Sequence, residues 1–112
     1  MDLYGPSLGQ LLKLCGGKFS KRTVAILALQ ILDRIEVMHS HNYLHLDLRP
    51  ENFLMGLGSN SYLLYMIDFS NSQQYKIKDT HISYQSRSYE LDPNFASVGT
   101  QLNLQPSRRD EI

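Results

Sequence analysis

Between Ser20 and His41 the apolar residues Val24, Leu27, Ile31, Ile35 and Met38 recur at steps of three and four, while Lys21, Arg22, Asp33, Arg34 and Glu36 fall off that stripe. Side chains three and four apart share one face of an α-helix, so the spacing predicts a long amphipathic helix ending near His41-Asn42. Upstream, Pro6-Ser7 precede Leu8, Leu11, Leu12 and Leu14, and Gly16-Gly17 follow them, which predicts a brief helix capped by Ser7 and stopped by the glycines. Downstream, Asn52-Phe53-Leu54-Met55 and Tyr62-Leu63-Leu64-Tyr65-Met66-Ile67 flank a turn-rich linker, Gly56 to Ser61, and predict two short antiparallel strands. From Ser70 to about Gly99 the chain is polar and aperiodic and is expected to form one long loop. A loop of that length in a small domain is either functional or a warning about the assignment.

The 112 residues suffice for one small domain and not two. Eleven basic and eleven acidic residues cancel, so no field draws the chain to nucleic acid or anionic lipid. Cys15 stands alone, which excludes an intrachain disulfide and a four-thiolate metal site and fits a reducing compartment. The start has no basic and then apolar leader, and the longest apolar run, Val24 to Leu29, falls far short of the ~20 residues of a spanning helix. The chain is therefore expected to be soluble and intracellular, cytoplasmic or nuclear, without a membrane or nucleic-acid partner. His39, His41 and His45 lie near one helix end, but no further ligand of suitable spacing joins them.

The residues that could carry chemistry follow the long helix: His45-Leu46-Asp47-Leu48-Arg49-Pro50-Glu51-Asn52, and then Asp68-Phe69-Ser70 at the end of the second strand. Asp47 and Asn52 are five positions apart, and Asp68 follows Asn52 by sixteen. That is the order and spacing of a protein-kinase catalytic loop and metal-binding Asp-Phe-Gly segment. Phosphoryl transfer needs a carboxylate to orient the attacking hydroxyl, hard oxygen ligands for Mg²⁺ and a cation near the moving phosphoryl group. Asp47, then Asn52 with Asp68, and Arg49 are the side chains for those three jobs.

The sequence resembles the casein kinase I group of serine/threonine protein kinases over nearly its whole length. Met1-Asp2-Leu3-Tyr4-Gly5-Pro6-Ser7-Leu8 is similar to that group's hinge, Asn52 to Gly58 to its stretch after the catalytic loop, and Ser107-Arg108-Arg109-Asp110 to the start of its central helix. Thr80-His81-Ile82-Ser83-Tyr84 and Phe95-Ala96-Ser97 resemble pieces of its activation and substrate loops. The resemblance implies an α+β, mainly helical C-terminal-lobe portion of a kinase-like fold, with a short β-hairpin and a long activation-type loop. Residues 1–112 would be a partial protein kinase domain in which the N-terminal lobe is absent. It implies Asp47 and Arg49 as catalytic residues, Asn52 and Asp68 as Mg²⁺ ligands, and Met1, Asp2 and Leu3 beside the adenine of ATP. Asp110 would hold the catalytic-loop backbone by hydrogen bonds, and the partner would be a protein substrate.

The departures point to weak activity. Leu46 stands where the family has arginine, Arg49 where it has lysine, and Ser70 where it has the glycine of Asp-Phe-Gly. The group's Gly-Thr-Ala-Arg substrate-loop pattern is replaced by Leu91-Asp92-Pro93-Asn94, and no G-x-G-x-x-G run occurs. The expectation is a casein kinase I-like chain with little or no activity by itself. The alternative is a catalytically inactive pseudokinase remnant acting as a protein-interaction module.

Overall fold

The computed structural model describes residues 3–82, 92–102 and 104–112. Met1, Asp2, Ser83, Tyr84 and Leu91, all named above, lie outside them. Contacts divide the chain into two compact units, one made of Met1–Arg34 with Arg49–Asp68 and the other of Ile35–Leu48 with Phe69–Ile112.

The first unit opens on helix α1, Leu8–Leu14. The Ser7 hydroxyl accepts from the Gln10 amide at 3.2 Å, and the Gln10 side chain returns a bond to the Ser7 amide at 2.9 Å, a reciprocal cap that satisfies two orphan donors. At the other end Gly16 and Gly17 take φ of +72° and +87°, and the Gly17 amide reaches back to the Leu12 carbonyl at 2.8 Å. This is the left-handed helix stop that glycine permits.

Helix α2, Lys21–Ser40, is the predicted long helix. The Ser20 hydroxyl caps its start through the Thr23 amide, and Asn42, with φ +68°, follows its end. Of the expected apolar stripe, Ile35 is buried and Leu27, Ile31 and Met38 are partly so, but Val24 is exposed. Gln30, in contrast, does unexpected structural work for a polar residue. Its Nε2 donates to the Tyr62 carbonyl at 3.0 Å and its Oε1 accepts from the Leu64 amide at 2.9 Å, as a neighbouring strand would. Arg34 Nε adds a bond to the Leu64 carbonyl at 3.1 Å.

The strand receiving those bonds is one arm of the predicted hairpin. Strand β2, Phe53–Met55, pairs antiparallel with β3, Leu64–Met66, in the register Phe53 with Met66 and Met55 with Leu64. Phe53 and Leu64 are buried, and burying each such side chain contributes roughly 1.5–3 kcal/mol. The arms are shorter than the apolar runs suggested, because Asn52 belongs to a 3-10 turn, Pro50–Asn52, ahead of the strand. On the other side of β2 the Gly5 amide donates to Met55 and the Met55 amide to Pro6, so the chain before α1 runs alongside it.

The second unit contains β1, Tyr43–Leu44, paired antiparallel with β4, Gln73–Gln74. A small hairpin follows, β5, Lys76–Ile77, with β6, Thr80–His81. Its core is Leu44, Leu46 and Tyr75, and the Tyr75 hydroxyl donates to the His39 carbonyl at 2.9 Å. The expected loop from Ser70 is thus corrected: residues 73–81 are three short strands, and a short helix α3, Val98–Gln101, follows later. Each strand is two residues long, too short to show a period of two. The predicted helix start near Ser107 is a single capped 3-10 turn, Arg108–Asp110.

The two-residue loop of the β5–β6 hairpin is Lys78-Asp79, and Lys78 has φ +56°. A side chain with a Cβ pays about 1 kcal/mol in that region, and tight hairpin turns favour glycine there. Lys78→Gly is therefore expected to stabilise the protein by about 0.5–1 kcal/mol, read as a higher midpoint in urea. An unchanged or lower midpoint would show that the turn is not strained.

Candidate functional site

The hairpin register brings the backbone of both predicted metal ligands to one end of the hairpin. Phe53 faces Met66, and one step further along the Ile67 amide donates to the Asn52 carbonyl at 2.9 Å. Asn52 and Asp68 therefore leave the same end of the β2–β3 hairpin in the first unit. Asn52 is buried, whereas Asp68 is exposed and takes φ +59°, the left-handed region that aspartate tolerates better than most residues. Arg49 sits just ahead of them, half-buried, its carbonyl accepting from the Asn52 amide at 3.0 Å. Leu3 is exposed and, with Tyr4, Gly56, Leu57, Asn60 and Tyr65, lines a cavity of about 320 Å³. The Tyr4 and Tyr65 rings there are 4.8 Å apart. A larger cavity of about 450 Å³ lies between α1, α2 and β2, lined by Leu8, Leu11, Phe19, Leu27 and Met55 among others, with no ionisable side chain among the described residues of its walls.

Asp47 belongs to the second unit, where the strand β1 and the buried His45 deliver it. His45 is fully buried, packs edge-on against Phe69 at 5.4 Å, and its Nδ1 accepts from the Asp47 amide at 3.2 Å. Between them Leu46 takes φ +68°, an unusual conformation for a bulky side chain that costs roughly 1–2 kcal/mol. What holds it is Glu111: Oε1 accepts from the Leu46 amide at 2.7 Å, and Oε2 meets His39 Nε2 at 2.7 Å, in a site where both side chains are buried.

The role expected of Asp110 is thus filled by Glu111. Asp110 instead accepts from the Ser97 hydroxyl at 2.5 Å and the Ser107 amide at 2.8 Å, tying α3 to the last turn. The sequence offers two adjacent carboxylates, and only the geometry of the turn decides which one points at the catalytic loop. His39 likewise carried no signal beyond its place at the end of a helix.

Asp47 lines a cavity of about 30 Å³ with Asp92, Phe95, Ser97, Thr100 and Asp110 among others, room for a water molecule or two. Among the described residues no three His, Cys, Asp or Glu side chains gather as a metal cage. One carboxylate and one carboxamide fit Mg²⁺ brought in with a polyphosphate, because that ion keeps several waters and relies on substrate phosphates for the remaining ligands.

A family model described as protein kinase domain matches residues 3–97. The chain belongs to the protein kinase domain family. That match runs through both segments on which the site depends, the Asp47–Asn52 loop and Asp68-Phe69. Members of this kinase family generally use ATP and Mg²⁺. Among the described residues of this kinase domain no helix is long and apolar enough to cross a membrane.

Proposed function

We propose that this kinase domain is of the casein kinase I type, part of a C-terminal lobe whose chemistry is transfer of the ATP γ-phosphoryl group to a protein Ser or Thr hydroxyl. The observation that supports the reading is the hairpin register, from which Asn52 and Asp68, sixteen positions apart as in such chemistry, both emerge at one end of the β2–β3 hairpin. In this reading Asn52 and Asp68 hold Mg²⁺, which when bound offsets the charge of the phosphates. Asp47 accepts the proton of the substrate hydroxyl, and Arg49 lends positive charge to the transferred group. Leu3, with Met1 and Asp2, borders the adenine.

These 112 residues contain no G-x-G-x-x-G run, and Arg49 presents a planar fork where the family has the compact ammonium of lysine. Turnover by the chain is accordingly proposed to be weak or absent. A second reading, an inactive module that binds a protein partner, is favoured by Leu46, Ser70 and the altered residues at 91–94.

The test is a pair of measurements on the purified chain. Titration with ATP, with and without Mg²⁺, is expected to show weak binding that requires the metal and is lost in Asp68→Asn. Incubation with labelled ATP and a Ser/Thr protein substrate is expected to show transfer at or near background, with any excess abolished by Asp47→Asn. Metal-independent binding, or transfer that survives Asp47→Asn, would sink the assignment of these residues. Mg²⁺-dependent binding with no transfer at all would select the inactive module.

A further inference from the structure

The outer face of α2 carries a second stripe that the fold does not use. Arg22, Ile26, Leu29 and Asp33 follow at steps of four, three and four, so they form one line along the helix, and all four belong to the first unit. Ile26 is 51% exposed and Leu29 71%, both large apolar side chains facing solvent. Arg22 is exposed and enters none of the ion pairs among the described residues, while Asp33 is held only by its neighbour Arg34 at 2.7 Å in a solvent-facing pair.

The order along this line is cation, apolar, apolar, anion. It is complementary to itself when reversed. Turning a second copy of the helix antiparallel about the midpoint between Leu27 and Ala28 sets Ile26 against Leu29 of the other copy and Arg22 against Asp33 of the other copy, each contact occurring twice. A two-fold axis makes such a patch its own partner. A parallel arrangement would instead oppose Arg22 to Arg22 and Asp33 to Asp33. Ala25, beside the line, adds little bulk, so the helix axes can approach to the 8–10 Å or so of ordinary helix packing.

We propose that the chain associates with a second copy of itself through this face, α2 against α2 antiparallel, with Ile26 and Leu29 as the apolar centre and Arg22–Asp33 pairs closing both ends. The patch is small, so the association is weak and fast, and the charge pairs set orientation more than affinity. Raising salt from low to high weakens it, since exposed pairs are screened.

Sedimentation velocity of the full chain over a wide concentration range tests the proposal. The expected result is an average mass that rises towards twice that of one chain, with Leu29→Asp monomeric throughout. Arg22→Glu, which places like charges at both ends, is expected to raise the dissociation constant at least tenfold. The exchange Arg22→Glu with Asp33→Arg is expected to recover it, because the reversed pairs are again complementary. All these positions are exposed, and an unchanged circular dichroism spectrum and melting curve confirms that each variant is folded. A chain that stays monomeric at every concentration overturns the proposal, as it would if this face were reserved for another protein or another segment. Association that ignores Arg22→Glu, or that the exchange fails to restore, also overturns it and assigns the contact to a different surface.

Discussion

Glu111→Ala is expected to destabilise the second unit by about 2–6 kcal/mol, the combined cost of leaving two buried groups without their acceptor. Two groups lose their acceptor at once: the Leu46 amide and His39 Nε2, both buried and both 2.7 Å from the carboxylate. An unsatisfied buried donor costs roughly 1–3 kcal/mol, and a void replaces the side chain. Leu46 adds a further contribution. Its left-handed backbone persists only while surrounding bonds over-determine it, so losing the Glu111 contact frees residues 46 and 47 to relax to another conformation.

Glu111→Gln separates these effects. The amide oxygen can keep the Leu46 bond, and the amide nitrogen can donate to His39 in the tautomer whose Nε2 is bare, so the loss should be well under half of that for alanine. Denaturant unfolding monitored by tyrosine fluorescence measures both. Equal losses for Gln and Ala would show that the site depends on charge alone and not on the pair of hydrogen bonds.

Gly56→Ala is the second large effect. A Cβ on Gly56 would sit 2.1 Å from the Asn60 carbonyl oxygen and 2.8 Å from its carbonyl carbon, both backbone atoms that cannot turn aside as a flexible side chain would. The 3-10 turn Gly58–Asn60 must therefore move, and with it the bonds from Leu63 to Asn60 and from Gly56 to Leu63 that close the β2–β3 connection. Overpacking of this kind costs about 1–3 kcal/mol and more where backbone must shift. The expected result is a loss of about 3 kcal/mol in the unfolding free energy, with an unchanged dependence on denaturant concentration. Gly58→Ala is the control: nothing lies within 4 Å of a Cβ there, so only the positive φ is penalised and the loss should be smaller. A Gly56→Ala variant as stable as the parent would show that the connection is free to rearrange.

Some of this architecture could be read from the residues directly. The bounds of α2 follow from an apolar period sustained over about four turns between a serine cap and a left-handed asparagine, and α1 follows from Ser7 and the glycine pair. The juxtaposition of Asn52 and Asp68 was legible because a hairpin with one turn-rich linker has few registers available, and the observed one places both at its open end. The strands β4, β5 and β6 were not legible, since two residues carry no alternation, and their pairing depends on backbone bonds such as Tyr75 to Asn42. Leu46 in a left-handed conformation had no local signal either: leucine is a poor choice there, and the reason it is held lies sixty-five positions along the chain, at Glu111. Val24 failed to bury because a helical period says which residues share a face and not how far along the helix the covering elements reach.

The bonds from Gln30 to the rim of β3 have a consequence for how the sequence can vary. A carboxamide that gives one bond to a carbonyl and takes one from an amide reads the main chain of residues 62 and 64 and is blind to their side chains. Tyr62, which is mostly in solvent, can drift to almost any residue without loosening α2 from the hairpin, and Leu64 is constrained there by its burial alone. Proline at 64 is the exception, because it removes the one hydrogen that Gln30 Oε1 receives. The attachment is written on α2, in the carboxamide at position 30 with Arg34 adding its bond to the Leu64 carbonyl, and the side chains at 62 and 64 take no part in those bonds.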